Sequence, residues 1–350
     1  MTDAVVLERP GQIALGRILL QVADFVLIAA INAYLAGTLA YLLLWRLGAN
    51  PLGLAEFVVN FLPWLLSPFL IVTSISLIRR DWRRTALSGA VVIVFLGLYG
   101  GLLLPQAPPR CEEPCVPLRL MTLNSGIGIN NADPEAMAQL ISREQPDIVA
   151  FQELGRSQAD VLERDLSDDY PYIAFFIEGE RVTGTGVMSR YPIIDQQLIY
   201  IYTANSHMPH MRTVVEIEGQ PVTVVSAHPL PPAFGGGYRS RTLPVMPELM
   251  TEIDADKHPI ILMGDFNMTD QSRDYAWFID QGFVDTFRET GWGLGLTFPT
   301  FSRSHRPLPP LVRIDYIWVT DSFLPQRAWV GDHVASDHLP VLADVLFVPR

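Results

Sequence analysis

The sequence predicts an α/β body of mixed sheets with helices packed outside, preceded by three membrane-spanning helices. Three observations carry this expectation. Charge-free runs of 21, 22 and 20 residues occupy 25–45, 57–78 and 85–104. Charge is divided unevenly: residues 1–104 hold seven of the 25 Lys+Arg and five of the 37 Asp+Glu, a net of +2, which leaves residues 105–350 at −14. Beyond Leu118, apolar runs of strand length alternate with helical patterns and turn signals. The mean hydropathy of +0.24 therefore belongs to the head of the chain. The organisation read from this is a membrane region over 1–104, a Pro-rich linker over 105–117 and a soluble domain over 118–350. It excludes a single globular domain and a uniformly embedded carrier, and the acidic body disfavours tight duplex binding through a basic surface.

Each charge-free run is long enough to cross a hydrocarbon core of roughly 30 Å, which needs about 20 helical residues. Pro63 and Pro68 are expected to bend the second span, which packed neighbours tolerate in a membrane. Between spans two and three lies Arg79-Arg80-Asp81-Trp82-Arg83-Arg84, whereas the other connection holds only Arg46 and Glu56. The Arg-rich loop is expected to be cytoplasmic. The N-terminus then lies inside, and three spans carry the acidic domain to the extracytoplasmic face of an inner membrane. Apart from Asp24 near the start of the first span, no charged residue marks a transport pathway. Cys111 and Cys115 stand among five prolines in the linker, and their spacing admits either a local disulfide or two unpaired thiols.

Within the body, strands are expected at 118–124, 147–151, 172–177, 186–189, 193–201, 212–217, 221–227, 259–263, 314–319 and 340–347. Helices are expected at 133–144, 156–166, 241–254 and 272–281, the first entered through Asp133-Pro134. Gly219-Gln220 between two alternating runs reads as a hairpin turn.

Polar residues close several of these strands: Asn124, Glu153, His228, Asp265 with Asn267, Asp315, and Asp337-His338. Singly, each has an ordinary reading as a cap or turn residue. Together they supply hard oxygen ligands for a divalent cation, two imidazoles and a phosphate-binding amide. His207, His210 and Arg212 form a further basic group before a strand, with Arg212 a candidate phosphate contact or ion-pair partner. His305-Arg306 in a Pro-rich loop and the Phe234–Tyr238 loop are further candidates for substrate contact.

The ordered series Thr-Leu-Asn124, Phe-Gln-Glu153, Ser189-Arg190-Tyr191-Pro192-Ile193, Ser-Ala-His228-Pro, Gly-Asp265-Phe-Asn267, Arg313-Ile-Asp315-Tyr and Ser-Asp337-His338 resembles the endonuclease/exonuclease/phosphatase family, over about residues 117–347. The resemblance implies a four-layer α/β/β/α sandwich of two mixed sheets, like deoxyribonuclease I, with one cleft at their upper edge. It implies Mg²⁺ or Mn²⁺ as cofactor and a phosphate-ester substrate, either a lipid head group or nucleic acid. No protein partner is expected, and the bilayer is the expected surrounding of the head.

Physical argument assigns roles that agree with the resemblance. Glu153 is the expected principal metal ligand, with Asn124 supporting the metal or a phosphate oxygen and Asp337 approaching the metal. His338 is the expected general base for an attacking water, with Asp315 fixing its tautomer. Asp265 would position that water, Asn267 and Arg212 would contact phosphoryl oxygens, and His228 would stabilise the pentacovalent phosphate or protonate the leaving group. One departure stands out: some nuclease members carry an acidic residue two positions after the first Asn, where this chain has Gly126. The expected activity is phosphodiester or phosphomonoester hydrolysis. The alternatives are a nuclease on extracellular nucleic acid, a sphingomyelinase or phospholipase C-like lipid phosphodiesterase, and an inactive binding protein on the same fold.

Overall fold

Two units make up the chain in the computed structural model, Met1–Pro51 with Leu62–Leu98, and Leu52–Phe61 with Tyr99–Arg350. The structure describes residues 10–47, 58–104, 107–112, 114–126, 131–177, 184–203, 206–229, 250, 251, 253, 257–301 and 306–349.

The first unit is helical: α1 (Pro10–Arg46), α2 (Leu62–Leu66), α3 (Pro68–Ile78) and α4 (Trp82–Tyr99). Two stretches, Arg17–Arg46 and Trp82–Leu103, are long and apolar enough to cross a membrane by length and composition. The expected second span differs. Its described helical part, Leu62–Ile78, is a shorter apolar segment broken at Ser67, where Pro68 opens α3 at its first turn. The bend expected at Pro68 is thus present, and among the described residues two helices rather than three reach spanning length. Polar contacts join these helices: Tyr34 stacks on Phe69 with ring centres 4.8 Å apart and donates to the Leu65 carbonyl, and Thr73 donates to Ser88 at 2.9 Å. Arg79 pairs with Asp24 at 2.8 Å, and Arg84 donates to Asn32.

The second unit carries twelve described strands in two six-stranded sheets. One runs β11 (Phe323–Val330), β12 (Val341–Phe347), β1 (Val116–Asn124), β2 (Ile148–Leu154), β4 (Gly184–Ser189), β3 (Tyr172–Phe176). The other runs β5 (Ile193–Thr203), β6 (Ser206–Ile217), β7 (Gln220–Ala227), β8 (Ile260–Asp265), β10 (Asp315–Val319), β9 (Val284–Asp285). Both sheets are mixed, because β1–β2 and β7–β8 pair in parallel while their other neighbours are antiparallel.

Helices cover the outer faces. α5 (Pro134–Glu144) and α6 (Arg156–Leu166) bury Met137, Leu140, Ile141 and Leu162 against Met121, Leu123, Val149 and Phe151. On the second sheet, Tyr275 and Phe278 of α7 (Arg273–Asp280) pack on Leu262, Tyr316 and Trp318. A short α8 (Thr286–Thr290) follows β9, capped by Asp285, which accepts from Phe287 and Arg288. Asp133 caps α5 by accepting from the Ala136 N–H, with Pro134 at the first turn.

Most expected elements appear within a residue or two, α6 with identical bounds. The hairpin turn lies one residue earlier than expected: Glu218 and Gly219 both have positive φ, of 50° and 77°, between Ile217 and Gln220, the geometry of a type I′ turn. Expected helix 241–254 falls almost wholly outside the described residues. β11 is an addition. Pro325 interrupts its pattern, and it tolerates the proline because it is an edge strand with a register shift there. Cys111 and Cys115 form a disulfide, with Cα atoms 6.5 Å apart.

Candidate active site

Strand parity explains why the polar residues converge. Met121 and Leu123 of β1 point to the outer helices, so Thr122 and Asn124 face the other sheet; in β8 and β10, Leu262, Tyr316 and Trp318 point outward, so Asp265 and Asp315 face inward. Asp265 and Asp315 are also direct cross-strand partners. Glu153 breaks the alternation. It has φ +55° at a register shift between Gln152 and Leu154, and this bulge brings its carboxylate to Asn124 on the inner side. Gly264 allows β8 to approach β7, since a Cβ there would lie 1.8 Å from the Ala227 carbonyl oxygen.

Asp265 is the hub. Its Oδ2 accepts from Asn124 Nδ2 at 3.0 Å and lies 3.5 Å from His228 Nε2 and 3.7 Å from His338 Nε2. Its Oδ1 accepts the Asn267 backbone N–H at 2.8 Å. Asn124 Nδ2 also donates to Glu153 Oε1 at 3.2 Å, and His228 Nε2 stands 3.6 Å from that oxygen. His338 Nδ1 meets both Asp315 oxygens, at 3.0 and 3.1 Å, and its ring packs on Phe298.

The charges are strongly interdependent. Burial alone would pull the His338 imidazole down, but Asp315 and Asp265 carry it up to about 10. His228 is likewise raised, Asp265 and Glu153 outweighing its burial. Burial opposes ionisation of Asp265, yet His338 and His228 hold its carboxyl below the usual range. Burial pushes the Glu153 carboxyl up despite His228 and the Asn124 hydrogen bond, and burial likewise raises Asp315 against the pull of His338. A buried carboxylate with incomplete compensation is a favourable place for a cation.

Six predicted residues therefore meet at one cleft: Asn124, Glu153, His228, Asp265, Asp315 and His338. Asn267 stands beside them and donates to the Pro229 carbonyl at 3.0 Å, which leaves one amide hydrogen for a ligand. Of the two roles expected for Asn124, the orientation of its amide suits contact with a phosphate oxygen rather than with the metal. Its amide nitrogen faces the carboxylates while its oxygen accepts the Gly126 N–H, so in this arrangement it acts as a donor. Asp337 is half-buried and helps raise His338, while the group whose ligand atoms converge within 4.8 Å is Asp265, Asp315 and His338. Because Asp315 is spent on His338 Nδ1, the hard donors most available to a divalent cation are Glu153 and Asp265. Arg212 is not brought to the cleft. It shares the outer sheet face with its cross-strand partner Val225 and pairs with Asp195 at 3.1 Å. The His207 and His305 side chains and the Phe234–Tyr238 loop lie outside the described residues.

Two residues named in the sequence motifs, Ser336 and His210, prove to have supporting roles that the sequence did not assign. Ser336 donates to the Asn124 carbonyl at 2.7 Å and accepts the His338 N–H at 3.0 Å, tying the β11–β12 loop to the end of β1. Its place two residues before His338 was the available signal. His210 is fully buried, and its Nδ1 accepts the His228 backbone N–H at 2.9 Å. Burial and the neighbouring His228 push it down to about 3, so it stays neutral. No local pattern distinguishes it from a strand residue.

Residues 121–338 match the Endonuclease/Exonuclease/phosphatase family. This chain belongs to that family. Solved structures agree on the fold. A family protein from Beutenbergia cavernae DSM 12333 is 23% identical over 66% of this chain and 72% of its own, with a TM-score of 0.52. The mannosyl-6-phosphatase of Bacteroides thetaiotaomicron VPI-5482 is 20% identical over 66% and 100%, TM-score 0.51. D. rerio TDP2, complexed with a single strand DNA product, is 17% identical over 65% and 98%, TM-score 0.52. No curated protein matches the chain. Members of the endonuclease/exonuclease/phosphatase family are usually hydrolases of phosphoester bonds and generally use a divalent metal, which agrees with the donor set at this cleft.

Proposed function

We propose that the chain is a membrane-anchored, divalent-metal-dependent phosphoesterase whose catalytic domain, residues 118–350, acts on the extracytoplasmic side. The observation that carries this is the convergence of Glu153, Asp265, His228 and the Asp315–His338 pair at one strand-end cleft. Glu153 and Asp265 would hold Mg²⁺ or Mn²⁺. The bound cation would neutralise phosphoryl charge and polarise a phosphate oxygen.

The chain's own groups supply the remaining chemistry. Asp315 fixes His338 Nδ1 and leaves Nε2 facing Asp265, so a proton taken from water at Nε2 is stabilised by both carboxylates. With Asp315 and Asp265 holding it near 10, His338 is largely protonated at neutral pH in the arrangement described, and it acts as a base only from its neutral fraction. His228, also raised, is suited to donate hydrogen bonds or a proton to the leaving oxygen. Asn267 offers its remaining amide hydrogen to phosphoryl oxygens. In phosphoryl transfer, positioning and charge compensation dominate, and this group supplies both.

The membrane anchor rests on two helices of spanning length; the Arg-rich 79–84 loop at the entry to the second is expected on the cytoplasmic face, which carries the domain that follows Leu103 to the other side. A tether favours a lipid phosphate ester. The nucleic-acid alternative is supported by the likeness to TDP2 and opposed by the −14 charge of residues 105–350. Full-length protein in lipid, offered a chromogenic bis-phosphodiester, sphingomyelin, phosphatidylinositols, a sugar phosphate and single-stranded DNA with Mg²⁺, tests the reading. Cation-dependent release from at least one supports it, with lipid esters expected to be preferred. No release from any of them, with either Mg²⁺ or Mn²⁺, would sink it.

A further inference from the structure

Among the large apolar side chains that the described residues of the second unit expose, three belong to one place. Leu103 and Leu104 are 45% and 62% exposed, and Trp292 is 74% exposed. The Gly293 N–H donates to the Leu102 carbonyl at 2.7 Å. The loop carrying Trp292 is therefore bonded to the last turn of the apolar stretch Trp82–Leu103, a turn that is itself part of this unit. Beside Trp292 opens a cavity of about 680 Å³, walled by Phe287, Leu294, Leu296 and Trp329, with Arg327 at its edge. The Arg327 guanidinium lies 4.4 Å from the centre of the Trp329 ring, which holds a cation beside an apolar wall.

An exposed indole next to exposed leucines is unfavourable in water unless something covers it. Indole is an amphipathic ring that settles at the level of lipid head groups, with its N–H toward water and its body toward acyl chains. The net charge of −14 over residues 105–350 would repel an anionic surface, so any approach must draw on local apolar area and a local cation. Both are present on this face.

We propose that the Trp292 face is a docking surface for the head group–acyl boundary of the bilayer that holds the Trp82–Leu103 helix. Trp292 lies in the interfacial layer and Arg327 meets lipid phosphate. The covering partner is lipid because the patch is continuous, by chain and by hydrogen bond, with the end of an apolar helix. The inference rests on the membrane anchoring proposed above.

The test uses the full chain in phosphatidylcholine vesicles doped with brominated phosphatidylcholine, which quenches tryptophans within reach of the acyl region. Emission quenching is compared among wild type, Trp292→Phe and Trp82→Phe. Trp82, 65% exposed at the start of the Trp82–Leu103 stretch, reports insertion of that helix independently. Each substitution is expected to remove the quenched share of one of the seven tryptophans. If Trp82→Phe loses quenched emission and Trp292→Phe does not, the docking surface is wrong and the anchoring stands. If neither does, the anchoring falls and the docking surface with it.

Discussion

Asp315→Asn removes one charge from the cleft while keeping side-chain shape. In the native arrangement both Asp315 oxygens lie 3.0–3.1 Å from His338 Nδ1. Two unit charges about 3 Å apart interact by about 5.5 kcal/mol at an effective dielectric constant of about 20, which corresponds to about four pKa units. Burial and Asp265 act on the imidazolium before and after the substitution alike, so a fall of about four units from the native value of about 10 is expected. His338 should then titrate near its ordinary value or slightly below. The assay is an NMR titration of histidine-labelled full-length protein in detergent with EDTA, alongside hydrolysis with Mg²⁺ restored. The rate should fall by about 10²-fold or more, because the asparagine either loses the charge or presents its NH₂ and selects the wrong tautomer. A His338 that still titrates near 10 in the variant would refute the argument, as would an unchanged rate.

Other consequences follow from the same geometry. Glu153→Gln should weaken Mn²⁺ binding at least about tenfold by calorimetric titration, since it removes one of two available hard carboxylates; equal affinity would move the metal elsewhere. Gly264→Ala should destabilise the protein by about 3 kcal/mol or more, seen as a lower Tm, because its Cβ would sit 1.8 Å from the Ala227 oxygen and force β7 from β8; an unchanged Tm would contradict the close approach. Ser336→Ala should lower the hydrolysis rate with little change in substrate KM, because it frees the His338 backbone from Asn124; a native rate would show that this tie is dispensable. His338 is raised in the folded protein, so its stabilisation is complete below about pH 6.5 and is lost as pH rises through about 10. The Tm of EDTA-treated wild type should decline from pH 7 to 10, and that decline should flatten in Asp315→Asn; parallel declines would count against it.

Much of the fold was legible because short apolar runs such as 118–124 and 259–263, closed by polar residues, have the length and composition of buried strands, and because Asp133-Pro134 marks a helix start by the chemistry of its cap. The two-residue pleat of the strands explains why Asn124, Asp265 and Asp315 share one face. What the sequence does not carry is long-range placement. Nothing local states that the Glu153 bulge turns its carboxylate across the strand, that Asn124 presents its nitrogen, or that Arg212 is paired with Asp195. β11 was hidden by Pro325, whose missing N–H only an edge position with a shifted register accommodates. The second span was read from composition alone, whereas Pro68 divides it into helices too short to cross singly.

The most direct measurement is initial-rate hydrolysis of a chromogenic phosphodiester by full-length protein, with and without Mg²⁺, for wild type, Glu153→Gln and His338→Ala. The predicted result is cation-dependent turnover in wild type, lowered by orders of magnitude in both variants. Turnover that ignores EDTA, or that survives His338→Ala at the wild-type rate, would contradict the assignment of this cleft as a metal-assisted phosphoesterase site.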